Sequence, residues 1–261
     1  MLQIIKSYLK FLYNSKNEHG VHSPFVFDLV TKCFYDKTKY PEYSILKSYR
    51  KSLIENKNFI EVTDFGAGSR VFKSNRRQIS KIAKTAGISP KRAELLFRIV
   101  NYFQPETILE IGTSLGLATS ALSLGNVNAK ITTLEGCSNT LAVAKQQFQT
   151  SNFKSEDIEF INTEFSSYLR NSKLQTPNYE LIYFDGNHSK QATLNYFELL
   201  LPTITNETVW IFDDIHWSLE MEEAWETIKN HPKITVTIDT FQWGIVFFRT
   251  EQEKEHFIIR T

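Results

Sequence analysis

Apolar residues change their spacing near residue 105. Before it, from residue 1 to about 88, they recur at helical intervals. Turn-like pieces such as "HGVHSPF" (19–25) and "KTKYPEY" (37–43) interrupt them. In the first segment Ile5, Tyr8, Leu9 and Leu12 share one helix face, which predicts packing on the chain's own domain. In "SPKRAELLFRIVNYFQP" (89–105), Ser89 reads as an N-cap, Leu95, Leu96, Ile99 and Val100 as a buried stripe, and Pro105 as a stop. Short apolar runs then alternate with helix-length segments: "TILEI" (107–111), "KITTLE" (130–135), "DIEFI" (157–161), "YELIYFD" (179–185) and "TVWIFD" (208–213). That alternation predicts a parallel sheet covered on both faces. The last two runs, "ITVTID" (234–239) and "WGIVFFR" (243–249), are too close for a crossover helix and predict an antiparallel hairpin. The expected fold is therefore α/β: a Rossmann-like seven-stranded sheet, five parallel strands then a hairpin, over residues 89–261. A mostly helical extension occupies residues 1–88.

Composition adds limits. The chain has 261 residues with 20 Phe and 11 Tyr, enough to bury a substantial core. Cys33 and Cys137 are too far apart in sequence to suggest a disulfide framework or a thiolate metal site, which points to a reducing, cytoplasmic setting. Lys6 and Lys10 interrupt any signal-peptide core, and no run approaches a membrane span. The net charge of +1 hides a split. Residues 1–109 hold 19 Lys/Arg against 9 Asp/Glu, a net of +10, and the remainder 11 against 20, a net of −9. Two readings stay open: attraction between packed halves, or a basic surface for nucleic acid or an anionic substrate.

Two stretches look like glycine loops, "EVTDFGAGSR" (61–70) and "TILEIGTSLGLATS" (107–120). A cofactor with an adenosine part needs a glycine turn where its tail nears the backbone and an acid ending the next strand for the ribose hydroxyls. The second stretch has both: Glu110, Gly112 and Gly116 around the turn, and Glu135 ending the next run. Thr113, Ser114, Gly136 and Asp185 complete the expected cofactor-binding set. The spacing Glu-x-Gly-x-x-x-Gly has no second early glycine to cradle a pyrophosphate, which favours S-adenosyl-L-methionine over a dinucleotide. The first stretch is followed by basic, helical sequence without an acid-ended strand. It reads as a tight turn, or as an anion-binding turn with Arg70, Arg76 and Arg77.

With these residues in view, segment 89–261 resembles the cation-dependent, catechol O-methyltransferase-like group of class I methyltransferases. The full length, including "HGVHSPFVFD" and "DFGAGSR", is similar to a bacterial class I subfamily with no assigned acceptor. The resemblance implies a divalent cation (Mg2+ or similar) on acids at two strand ends, here Asp185, Asp213 and Asp214. A hard cation lowers the pKa of a bound hydroxyl, and three clustered carboxylates would repel without one. The structural alternative is that these acids merely cap helices starting near Ser189 and Ser218. Two histidines compete as base. His188 stands where catechol-type relatives have a lysine, and His216 follows the acid pair as in mycinamicin-type sugar O-methyltransferases, the slightly preferred choice. Three functions follow: O-methylation of a small-molecule or sugar hydroxyl with the extension as a lid; methylation of RNA or protein docked on the basic extension; or a non-catalytic binding module. An oligomer is compatible with each. "DGNH" (185–188) stands where many base-nitrogen RNA methyltransferases carry Asn/Asp-Pro-Pro-aromatic, which weighs against that variant.

Overall fold

The computed structural model describes residues 2–63, 65, 72–151, 153, 155–171 and 178–261. They form two compact units, one of residues 36–168 and one of residues 1–35 with 169–261.

The 36–168 unit opens with helix Glu42–Glu55. An antiparallel pair follows, β1 (Phe59–Glu61) with β2 (Arg76–Gln78), a short ribbon not foreseen among the helices of the extension. Helix Pro90–Phe103 starts as its sequence requires: Ser89 takes its side-chain oxygen to the Arg92 N–H, and Pro90 sits at the first turn. Leu95, Leu96, Ile99 and Val100 are buried, and Gln104 leaves the helix at φ +49° ahead of Pro105. Then β3 (Thr107–Ile111), β4 (Lys130–Glu135) and β5 (Ile158–Asn162) run parallel, with helices Leu117–Gly125 and Ser138–Thr150 as crossovers. The register sets Glu110 opposite Thr133 and Glu135 opposite Asn162.

In the other unit β6 (Leu181–Phe184) and β7 (Val209–Asp213) are parallel. The expected hairpin is present: β9 (Trp243–Phe247) lies antiparallel to both β7 and β8 (Val236–Asp239). The sheet expected from sequence thus appears with its parallel strands and its antiparallel hairpin. A further strand was not foreseen, β10 (Glu255–Ile258), parallel to β8. The N-terminal segment is pinned beside it, since the Lys16 N–H donates to the Ile258 carbonyl (2.8 Å) and the Tyr35 hydroxyl to that of Arg260 (2.9 Å).

Helix Leu2–Asn14 buries Ser7 and Phe11, and Phe11 packs on Phe241 at 5.5 Å. The stripe expected to be covered is only partly so: Ile5 and Leu9 are exposed and Leu12 is half-buried, while Tyr8, itself largely exposed, sets its ring edge-on to Phe241 at 4.9 Å beside the buried Ser7 and Phe11. Trp243 is buried in the core, edge-on to Tyr183. Among the described residues no helix is long and apolar enough to cross a membrane. Both cysteines are buried free thiols.

Candidate functional site

The turn after β3 is built on backbone that favours glycine. Gly112 has φ +108° and Gly116 φ +78°, with Ser114 between them at +47°. The N–H groups of Gly112 and Thr113 both donate to the Leu134 carbonyl at 3.0 Å, fixing the turn on the end of β4. At Gly116 an added Cβ would lie 2.6 Å from the Tyr49 hydroxyl and 2.9 Å from the Phe148 ring, so this glycine admits protein neighbours. Tyr49, from helix Glu42–Glu55, donates to the Leu115 carbonyl at 2.9 Å and braces the turn from behind.

Glu110 is fully buried, and its carboxylate accepts from the Thr119 and Thr133 hydroxyls, each at 2.5 Å. Thr133 in turn lies 2.6 Å from the Thr113 hydroxyl. Glu110 thus ties β3, β4, the turn and the following helix together, a positioning role; Thr119, Thr133 and Tyr49 are partners that no linear motif exposed.

Glu135 stands at the mouth of this turn. One carboxylate oxygen accepts from the Ser114 N–H and the other from the Cys137 N–H, both at 2.8 Å. Burial raises its pKa above the ordinary glutamate value, against the N–H groups of Cys137 and Ser114, which pull it down. Each oxygen has lone-pair capacity beyond the one bond drawn, which suits a ligand carrying two neighbouring hydroxyls. The donor set of this turn and acid fits S-adenosyl-L-methionine: Glu135 would accept from the ribose hydroxyls and the Gly112–Gly116 turn would receive the amino-acid tail.

The second group of candidate residues lies in the other unit. Ser189 and Ser218 cap helices Lys190–Leu200 and Leu219–Asn230, accepting from the N–H groups of Ala192 and Met221. Asp185, Asp213 and Asp214 are therefore not needed as caps. Asp185 Oδ1 lies 3.5 Å from His188 Nε2. Burial pulls the His188 pKa down, but the bond to Asp185 and the charges of Asp185, Asp214 and Asp213 outweigh it and push it up to about 9. Asp213 is buried, accepting from the Tyr183 hydroxyl (3.0 Å) and from the Asp214 N–H (2.8 Å). Asp214 itself takes φ +55°. Among the described residues no group of three or more His, Cys, Asp or Glu is placed to hold a metal ion. Asp213 accepts from Tyr183 and from its own turn, and Asp185 faces an imidazole; as placed, the three acids do not form an assembled cation site.

His216 is held on both sides. Nδ1 lies 3.0 Å from Glu222 Oε1 and Nε2 2.9 Å from Asp239 Oδ2, while the ring stacks on Phe241 at 5.1 Å. Burial lowers its pKa, but Asp239 and then Glu222 outweigh this and raise it. Ionised carboxylates only accept, so both ring nitrogens serve as donors and neither is left to take a proton. This geometry weighs against a base role for His216 and makes it a pin. Gln3 also donates to Glu222, and the Phe241 N–H donates to Asp239. Replacing His216 by leucine should leave two part-buried acids facing an apolar side chain. The expected cost is about 2 kcal/mol, a fall in melting temperature of roughly 5 °C by calorimetry, with S-adenosylhomocysteine affinity unchanged.

Of the first glycine stretch, Asp64 and residues 66–71, including Gly66, Gly68 and Arg70, lie outside the described residues. Its flanks are described. Arg76 lies over the Phe59 ring and Arg77 over that of Phe72, each at 5.0 Å. Arg76 and Lys57 line a polar cleft of about 620 Å³ with Asn58, Gln146 and Thr150.

Comparison with known proteins bears on these geometries. A family model described as a methyltransferase domain matches residues 109–215, the stretch holding Glu110, Glu135, Asp185 and the Asp213–Asp214 pair. No curated protein matches the chain in sequence. Among solved structures, the SAH-bound Podospora anserina methyltransferase PaMTH1 is 14% identical over 88% of this chain and 97% of its own, with a TM-score of 0.62. The O-methyltransferase from Bacillus cereus in complex with SAH is 17% identical over 82% of this chain and 92% of its own, TM-score 0.55. The O-methyltransferase TomG from Streptomyces achromogenes, involved in tomaymycin synthesis and bound to SAM, is 12% identical over 81% and 91%, TM-score 0.57. At such identities the likeness is one of fold: the chain has the Rossmann-like sheet of these methyltransferases, and its residues 109–215 match the methyltransferase-domain model.

Proposed function

We propose that this chain, with its methyltransferase domain over residues 109–215, transfers a methyl group from S-adenosyl-L-methionine to a hydroxyl oxygen of a small molecule. The observation that carries the reading is Glu135: a carboxylate ending β4, held by the N–H groups of Ser114 and Cys137 beside a turn with two left-handed glycines. S-adenosyl-L-methionine, when bound, supplies a sulfonium methyl group that an oxygen nucleophile can displace. The chain must then hold the donor, orient the acceptor and accept a proton. Glu135 and the 112–116 turn serve the first task. For the last, His188 is the better placed histidine, since a single carboxylate, Asp185, orients it while His216 is clamped from both sides. The O-methyltransferase of tomaymycin synthesis among the structural neighbours supports that acceptor class.

No step of this proposal passes through a cation, because among the described residues no group of three or more His, Cys, Asp or Glu is placed to hold one. The test is calorimetry of S-adenosylhomocysteine binding, followed by a screen of phenolic and sugar hydroxyls with and without a chelator. Binding in the micromolar range and turnover that survives exhaustive chelation are expected. Turnover that collapses on chelation and returns with Mg2+ would mean that the three acids regroup around an ion, and the proton-transfer scheme would have to be redrawn. Failure to bind S-adenosylhomocysteine at all would sink the cofactor assignment.

A further inference from the structure

The stretch after β1 is strapped to the turn that follows Glu135. Asn139 Nδ2 donates to the Glu61 carbonyl at 2.7 Å, and the Cys137 thiol points at the same oxygen at 3.8 Å. The Thr63 N–H returns a contact to Cys137 Sγ at 3.4 Å. Two residues on, Phe65 lies on Gly136: a Cβ built there would fall 2.7 Å from Cδ2 and 3.1 Å from Cε2 of the ring. Only glycine at 136 lets the ring sit so close. From the far side Asn162 Nδ2 donates to the carbonyls of Glu135 (2.7 Å) and Gly136 (2.9 Å), so the backbone under the ring is fixed. Yet Phe65 keeps 59% of its surface exposed. A phenylalanine held on a rigid turn with a bare apolar surface is an unused aromatic platform.

The chemistry of the donor says what would use it. In an adenosine-containing donor the sulfur hangs from C5′ and the base from C1′, at opposite ends of the ribose. With the ribose hydroxyls on Glu135 and the amino-acid tail at the 112–116 turn, the base must point away from that turn, toward Gly136 and what lies on it. We infer that Phe65 is an aromatic wall of the adenine subsite, supplied by the segment ahead of the methyltransferase domain. The inference rests on the cofactor reading above. It gives the first glycine stretch a part in cofactor binding, through the residue at its centre, while the second supplies the turn and the acid.

Calorimetric titration of the full chain with S-adenosylhomocysteine tests this, with circular dichroism as the folding control. Phe65→Ala should raise the dissociation constant about tenfold, as expected for losing one base–aromatic stack. Gly136→Ala, which pushes the ring off its seat, should raise it similarly, and the double variant should be no worse than either alone. Phe65→Trp should bind like the wild type and add an indole emission that S-adenosylhomocysteine quenches, a readout that survives should the alanine variant fold poorly. Full restoration by Phe65→Leu, which fills the space without a π face, would reduce the residue to packing and overturn the inference. So would wild-type affinity in Phe65→Ala. If the wild type binds no S-adenosylhomocysteine, the cofactor reading fails and this one with it; if Glu135→Ala loses binding while Phe65→Ala keeps it, only this one fails.

Discussion

Glu135→Ala should weaken S-adenosylhomocysteine binding at least about a hundredfold while leaving the fold intact. Hydrogen bonds to a charged acceptor contribute roughly 1.5–3 kcal/mol each, and two ribose hydroxyls can share this carboxylate. The substitution also frees the N–H groups of Ser114 and Cys137, which Glu135 holds at 2.8 Å, so the turn that receives the tail loosens too. The residue is only part-buried and caps no core element, so a melting temperature within a few degrees of wild type is expected. The pH dependence has a definite sign. Burial raises the Glu135 pKa, and acceptance from two hydroxyls needs the ionised form. Affinity should therefore fall as pH drops, beginning at a higher pH than an exposed glutamate would give, and Glu135→Gln should bind weakly with that limb flattened. Isothermal titration across the acidic range reads both effects, and wild-type affinity in Glu135→Ala would remove the ribose assignment.

What the sequence made legible is what repeats locally. Strand runs, the Ser89 cap and the hairpin of β8 and β9 each follow from a few adjacent residues, as does an acid ending the second parallel strand. Partners chosen by register were not legible. Thr133 meets Glu110 only because β4 aligns there with β3, and Tyr49 reaches Leu115 from a helix 66 positions away. His216 reads as a base from "DDIH", but Glu222 and Asp239, which decide otherwise, come from a helix and from β8. β10 escaped notice because "EHFI" sits in a charged stretch with half its positions in solvent. The N-cap ambiguity of Asp185 and Asp213 was resolved by serines already visible in the sequence. Phe65 is not legible as a site residue because glycines, not the ring ahead of them, make a stretch look like a nucleotide loop.

His188→Gln should lower turnover by about a hundredfold to a thousandfold and leave S-adenosylhomocysteine affinity within twofold. General-base catalysis is worth roughly 10²–10⁴ in rate, and glutamine keeps the size and polarity of the side chain but cannot take up a proton. Cofactor affinity should stay because the ribose acceptor Glu135 and the N–H groups that hold it are untouched. The acid surroundings then set the pH profile. With its pKa near 9, His188 is mostly imidazolium at neutral pH, so kcat/KM should rise with pH and level off at about 9. Asp185 is the largest of the influences that raise this value, so Asp185→Asn should move the rising limb to lower pH, as well as slowing turnover by loosening the ring. His216→Gln should do neither. A profile that is flat from neutral pH to 9, or a His188→Gln variant with wild-type turnover, would take the proton away from this pair. Because Asp213 and Asp214 also raise the His188 pKa, neutralising either should shift the limb in the same direction by a smaller step. That ordering, Asp185 before Asp214 and Asp213, is the signature of an imidazole acting among carboxylates, where a cation-bound hydroxyl would instead lose activity with every acid alike.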